Sequence, residues 1–149
     1  MIRPITATST FALLATGAAT TPALANDDPW AVLSNIQIEE IIEGNSYRAV
    51  KTYPAEIENG VEKFAITGYA VPLTLDPTKP TAQLMLVSDM GDCPFCGSSE
   101  HAGQLQVDLE DPILIEEGQR LSVVGSLELI HDPETWQSAI MRGARITGS

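Results

Sequence analysis

The apolar residues of this chain come in short runs, each cut off by Gly, Pro or Asp within about ten positions, and no stretch carries a long amphipathic helix. That pattern excludes a parallel α/β fold, whose strands must be joined by such helices. It leaves a set of short strands that bury one face each. The clearest is Lys63 to Val71. Phe64, Ile66 and Gly68 fall on one side, and Ala65, Thr67 and Tyr69 on the other, which is the period-two alternation of a half-buried strand. A Gly inside a strand marks a bulge or a bend. Pro72 then limits further pairing.

The neighbouring segments repeat the theme. Asp28-Pro29-Trp30-Ala31-Val32-Leu33 reads as one helical turn, capped by Asp28 with Pro29 at the first position and with Trp30 and Leu33 on one face. Ile36 to Ile42 and Tyr47 to Tyr53 flank Gly44-Asn45-Ser46 and read as a hairpin. The competing reading is a helix over Ile36 to Glu43. Pro54 to Glu58 reads as a short helical turn closed by Asn59-Gly60. Leu75 to Thr81, with Pro77 and Pro80, is a surface loop. Ala82 to Ser88 is a strongly apolar strand. Gln104 to Leu109 sets Leu105, Val107 and Leu109 against Gln106 and Asp108. Gly118 leads into a strand from Arg120 to Ile130. Asp132-Pro133-Glu134 is a turn with a short helix through Trp136 and Ile140, and Ala144-Arg145-Ile146 is a closing edge strand. Five strong strands and one or two short helices fit a mainly β fold: a small OB-like, partly open antiparallel β-barrel.

The first 25 residues read differently. Arg3 is followed by the short apolar run Phe11 to Ala19, and Ala23-Leu24-Ala25 is a small-x-small cleavage site before Asn26-Asp27-Asp28. Those features in that order make a signal peptide cleaved after Ala25, so residues 26–149 form a single exported, periplasmic domain. The apolar run is too short to span a bilayer. The mature chain keeps all 20 acidic residues and loses one of eight basic ones, Arg3, for a formal charge of −13. Such a surface repels nucleic acid and anionic lipid. The acids are dispersed, so they serve solubility first.

Chemistry concentrates in one loop. The strand ending at Ser88 runs into Asp89-Met90-Gly91-Asp92-Cys93-Pro94-Phe95-Cys96-Gly97, with Glu100 and His101 just beyond. Cys93 and Cys96 are the chain's two cysteines. A bridge between them closes too small a loop to stabilise the fold much, so their role is local. Three readings compete. Two thiolates three positions apart hold one tetrahedral ion, with His101 as third ligand and a carboxylate or His131 as fourth; zinc suits that set, and copper(I) suits it less well, through Met90. Alternatively, Cys-Pro-Phe-Cys is a thiol–disulfide redox site, although Gly97 to Gly103 makes a poor helix and no βαβ context follows. Finally, the pair is a local disulfide stiffening a loop of a non-catalytic interaction domain. Ser98-Ser99 beside His101 is no nucleophile elbow. Trp30, Trp136 and Tyr69 read as core or edge packing and not as a ligand cage.

Gly68-Tyr69-Ala70-Val71-Pro72-Leu73 resembles the Gly-Tyr-x-Val-Pro-Leu signature of an exported bacterial family of unknown function. Leu84 to Ser88 followed by Cys93 resembles its strand and Cys-containing loop, Val123-Val124-Gly125-Ser126-Leu127 its Val-x-Gly-x-Leu strand, and Ala144-Arg145-Ile146 its closing strand. The resemblance spans Trp30 to Ile146. It implies a small OB-like periplasmic domain that accompanies ABC-type export or metal-handling systems. Many members carry one Cys, then His and a proline run; here Cys-Pro-Phe-Cys is followed by Gly-Ser-Ser-Glu-His, so only the cysteines carry over. The expectation taken forward is a periplasmic zinc-binding accessory protein of a transport system, holding its ion through Cys93, Cys96 and His101, with no assigned catalytic residue and with a membrane transporter component as partner.

Overall fold

The computed structural model describes residues 28–89 and 103–149. The chain opens with α1 (Pro29–Ser34). Asp28 caps it, its carboxylate accepting from Trp30 N at 3.1 Å, and Pro29 occupies the first turn. Strands β1 (Gln37–Glu43) and β2 (Ser46–Thr52) then form an antiparallel hairpin around Gly44-Asn45. The hairpin reading of this segment is therefore the one observed, and the helical alternative is not.

The remaining five strands are β3 (Val61–Pro72), β4 (Thr81–Val87), β5 (Gln104–Ile113), β6 (Arg120–Leu129) and β7 (Ala139–Gly148). They close into a barrel in the order β3-β4-β5-β7-β6, with β6 returning to β3. All pairings are antiparallel except β5 with β7. The architecture is the small OB-like barrel expected, and its ring is fully closed. Closure removes the exposed sheet edges that an open barrel would leave. It also alters the place of the last strand. β7 is not an edge: it lies between β5 and β6, because its buried face, Ala139 to Met141 and Ala144, has to be covered from both sides.

Alternation builds the core. Phe64, Ile66 and Ala70 of β3, Leu84 and Leu86 of β4, Leu105, Val107 and Leu109 of β5, and Leu121, Val123 and Leu127 of β6 all point inward and are buried. Val32 and Leu33 of α1 join this cluster, as do Ile57 and Ile115 from connecting turns. No polar or charged residue is buried among the described residues. Trp30 pins α1 to the wall, its indole Nε1 donating to Thr67 O at 2.7 Å. Gly68 permits that contact: a Cβ there would stand 2.6 Å from Val87 O and 2.8 Å from the Trp30 ring.

Two short helices expected from the sequence do not form. Residues 54–60 make consecutive turns, Ile57 N to Pro54 O and Gly60 N to Ile57 O, that drive Ile57 into the core. Residues 130–138 form an irregular connection before Ala139 starts β7. An isolated helical turn is a costly nucleus, and of the second expected helix Ala139 and Ile140 pair with β6 as the start of β7 instead.

Candidate functional site

Cys93, Cys96 and His101 lie outside the described residues, as do Met90, Asp92, Ser98, Ser99 and Glu100. What the structure fixes is the pair of points between which this segment runs. β4 and β5 are adjacent and antiparallel, with Val87 opposite Gln104. One step further out, Ser88 N donates to Gly103 O at 2.9 Å. The segment is therefore a hairpin connection whose two feet are hydrogen-bonded to each other on the barrel wall.

Other candidate ligands can be placed. His131 follows β6 and stacks edge-on against Tyr53, ring centroids 5.0 Å apart at 76°. It borders a cleft with Glu58, Glu62 and Glu128. No group of three or more His, Cys, Asp or Glu side chains among the described residues is arranged to hold a metal ion.

The β6–β7 connection is held by the hairpin. Lys51 Nζ donates to Ile130 O and Asp132 O, each at 2.8 Å, and Tyr53 Oη donates to Ile130 O at 2.7 Å, 3.1 Å from Ser138 O. Ala49 N donates to Pro133 O at 2.8 Å. Burial lowers the Lys51 pKa, against a weaker pull from Asp132, and burial raises that of Tyr53.

Held in this way, the connection brings Trp136, Gln137 and Ser138 beside the outer face of β4 and β5. A cleft of about 130 Å³ results, lined by Leu33, Ile36, Met85, Gln104, Gln106 and these three residues among others. Its polar side continues as a row of hydrogen bonds. Gln137 Nε2 donates to Gln106 Oε1 at 3.0 Å, and Gln106 Nε2 and Gln83 Nε2 each donate to Asp108 Oδ1 at 3.3 Å. Arg142 pairs with Asp108 and reaches Glu128 at 3.5 Å; Arg145 forks onto Glu110. The Arg145 guanidinium holds the Glu110 carboxyl below its ordinary range.

Sequence reading assigned Trp136 to core or edge packing; it lines this cleft and is 38% exposed. The alternation of Gln104, Gln106 and Asp108 already marks an outward polar face. Their juxtaposition with Gln137, 31 positions from Gln106, depends on the parallel β5–β7 pairing, for which no local signal exists.

Comparison with models of known families, with curated proteins and with solved structures finds no match. The barrel topology is that of an OB-like fold, which by itself assigns no activity. No helix among the described residues is long and apolar enough to cross a membrane.

Proposed function

We propose that the chain is an exported metal-binding accessory module that holds a zinc ion through Cys93, Cys96 and His101 and serves a membrane transport system. The observation that carries this reading is the clamp at Ser88 and Gly103, 2.9 Å between donor and acceptor. It ties both ends of the one segment rich in soft and borderline ligands to adjacent points of a rigid ring. A Cys-x-x-Cys turn supplies two thiolates to one ion, and imidazole adds a third donor that zinc accepts equally well. The leader-like first 25 residues and the resemblance to an exported family support the location. The surplus of acids over bases, 20 against 8, favours cations near the surface and disfavours nucleic acid.

The test is metal content of the full chain after export, measured by mass spectrometry under non-denaturing conditions beside the Cys93→Ser/Cys96→Ser variant. The expected result is about one zinc per chain, absent from the variant. Thiolates must shed protons to bind, so uptake should weaken as pH falls. A native mass two protons light with no ion would replace this reading with a stapling disulfide. Rapid alkylation of Cys93 well below the ordinary thiol pKa of about 8.5, again with no ion, would replace it with redox chemistry.

A further inference from the structure

The closed barrel has no open strand, but the hairpin that precedes it does. We propose that the outer edge of β1 receives an extended segment of another protein as a third strand, and that this segment alternates apolar residues with Lys or Arg.

The register fixes which main-chain groups face outward. Ala49 N donates to Pro133 O, so the Ala49 N–H points away from β1. Ala49–Glu40 is therefore a non-hydrogen-bonded pair of the ladder, and so are Ile38–Lys51 and Ile42–Tyr47, two steps to either side. In such pairs the N–H and C=O of both residues point out of the hairpin. On β2 that side is covered by the β6–β7 connection. On β1 no strand lies beyond it among the described residues, which leaves the main-chain groups of Ile38 and Ile42 in a row with nothing to pair with. A row of this kind is a template for a further strand. The contacts of Ala49, Lys51 and Tyr53 hold the hairpin in place, so the edge is set before a partner arrives. Its side chains add apolar surface: Ile42 is 71% exposed and Val50 43%, on opposite faces of the hairpin.

Charge decides the occupant. Glu39 and Glu43 lie on one face of β1 and Glu40 on the other, where it is hydrogen-bonded to the Tyr47 hydroxyl. A second copy of the chain is a poor match. Every antiparallel register of two β1 strands with substantial overlap sets Glu40 on Glu40, Glu39 on Glu43, or Glu39 on Glu39, and a parallel in-register pair sets each acid beside itself. Like charges placed directly opposite are destabilising. A foreign strand with cations opposite Glu39 and Glu43, and apolar residues opposite Ile38 and Ile42, gains from both sets. The surplus of acids over bases in the whole chain, 20 against 8, also draws such a segment in.

The experiment titrates the full chain with the peptide acetyl-Ser-Lys-Val-Thr-Thr-Lys-Val-Ser-amide and follows backbone amide resonances and their hydrogen exchange. The peptide should saturate the protein below about 1 mM, shifting the Ile38 and Ile42 amides and slowing their exchange. The same peptide with Glu at both Lys positions should bind at least about tenfold more weakly. Glu39→Gln/Glu43→Gln should weaken the lysine peptide by about threefold or more. Ile42→Pro removes one outward N–H and leaves the β1–β2 ladder intact, as Pro on an edge can, and should abolish binding; Ile42→Thr keeps that N–H and should bind within about threefold of the native chain. Thermal unfolding establishes that each variant keeps the fold, and the glutamate peptide and the glutamine variant decide the matter if Ile42→Pro does not. Failure to saturate at about 1 mM overturns the proposal, as does equal binding of the glutamate peptide or undiminished binding to folded Ile42→Pro. Protection of the Ile38 and Ile42 amides on raising the protein concentration alone also overturns it, by making the edge an interface between copies. Metal content is read in none of these signals, so this proposal and the zinc reading stand or fall separately.

Discussion

At the residue scale, the positions that matter most are those where two elements come closer than a side chain allows. Gly68 is the clearest. Its missing Cβ is the space occupied by the Val87 carbonyl, the Trp30 ring and Leu86, the last at 2.9 Å. Trp30 can yield a little; a backbone carbonyl in a closed barrel cannot. Gly68→Ala should therefore destabilise the fold by about 1–3 kcal/mol, the usual cost of overpacking, seen as a lower urea midpoint. A loss below about 0.5 kcal/mol would mean that β4 moves aside freely. Sequence marked Gly68 as special, because Gly interrupts an otherwise regular strand. It did not reveal the reason, since Trp30 lies 38 positions earlier and Val87 lies on another strand. Ile57 shows the opposite failure: flanked by Glu56 and Glu58 it resembles a surface residue, yet it is fully buried. Only the turns on either side explain that.

At the element scale, the hairpin and the β6–β7 connection behave as a coupled pair. Neither has much apolar burial of its own; Ala49 is the one buried residue of β1 and β2. What joins them is a group of hydrogen bonds from Ala49, Lys51 and Tyr53 to the connection's carbonyls. Tyr53→Phe removes one donor but strands no acceptor, because Ile130 O still receives Lys51 and Ser138 O still receives Ile130 N. The expected cost is therefore only about 1 kcal/mol. The more telling readout is hydrogen exchange: the Ala49 amide should lose protection more than any amide of β3 to β6. Equal loss throughout would show that the hairpin is part of one cooperative unit. The hairpin and the strong strands were legible from alternation and turn residues. The irregular path of residues 130–138 was not, because it is set by partners as far as 85 positions away. β7 bears a further trace of such long-range demands. Gly143, with φ +56°, inserts an extra residue so that Arg142 stays outside while Ala144 turns in.

At the scale of the whole molecule, closure depends on a short parallel seam. β5 and β7 pair at Gln106–Ile140, Val107–Met141 and Leu109–Ala144, with a register shift between the last two. Two arginine–carboxylate contacts, Arg142 with Asp108 and Arg145 with Glu110, cross the same seam on the outside. They give the barrel a defined pH response. Arg145 holds the Glu110 carboxyl below its ordinary value of 4.5, so the folded chain releases that proton more readily than the unfolded chain. Stability from this pair is complete above the ordinary carboxyl range and is lost as pH falls through the lowered one. Asp76 is shifted the same way by Thr78 and Lys79. Urea midpoints measured between pH 7 and pH 3 should fall, and Glu110→Gln should flatten part of that slope while leaving the Asp76 part. An unchanged slope would mean that solvent screens the pair completely. The sequence supplied these charges without their partners. What it did supply was the class of fold, through the spacing of its apolar residues.

The bond from Ser88 to Gly103 has a consequence for how such a chain can change over time. Two strand ends fastened side by side make a socket: each doubling of the length spliced between them costs only about 0.6 kcal/mol in loop-closure entropy. Chain length between these two ends is therefore a cheap variable for such a barrel, because the hydrogen-bonded ends hold β4 and β5 together whatever the span of the connection.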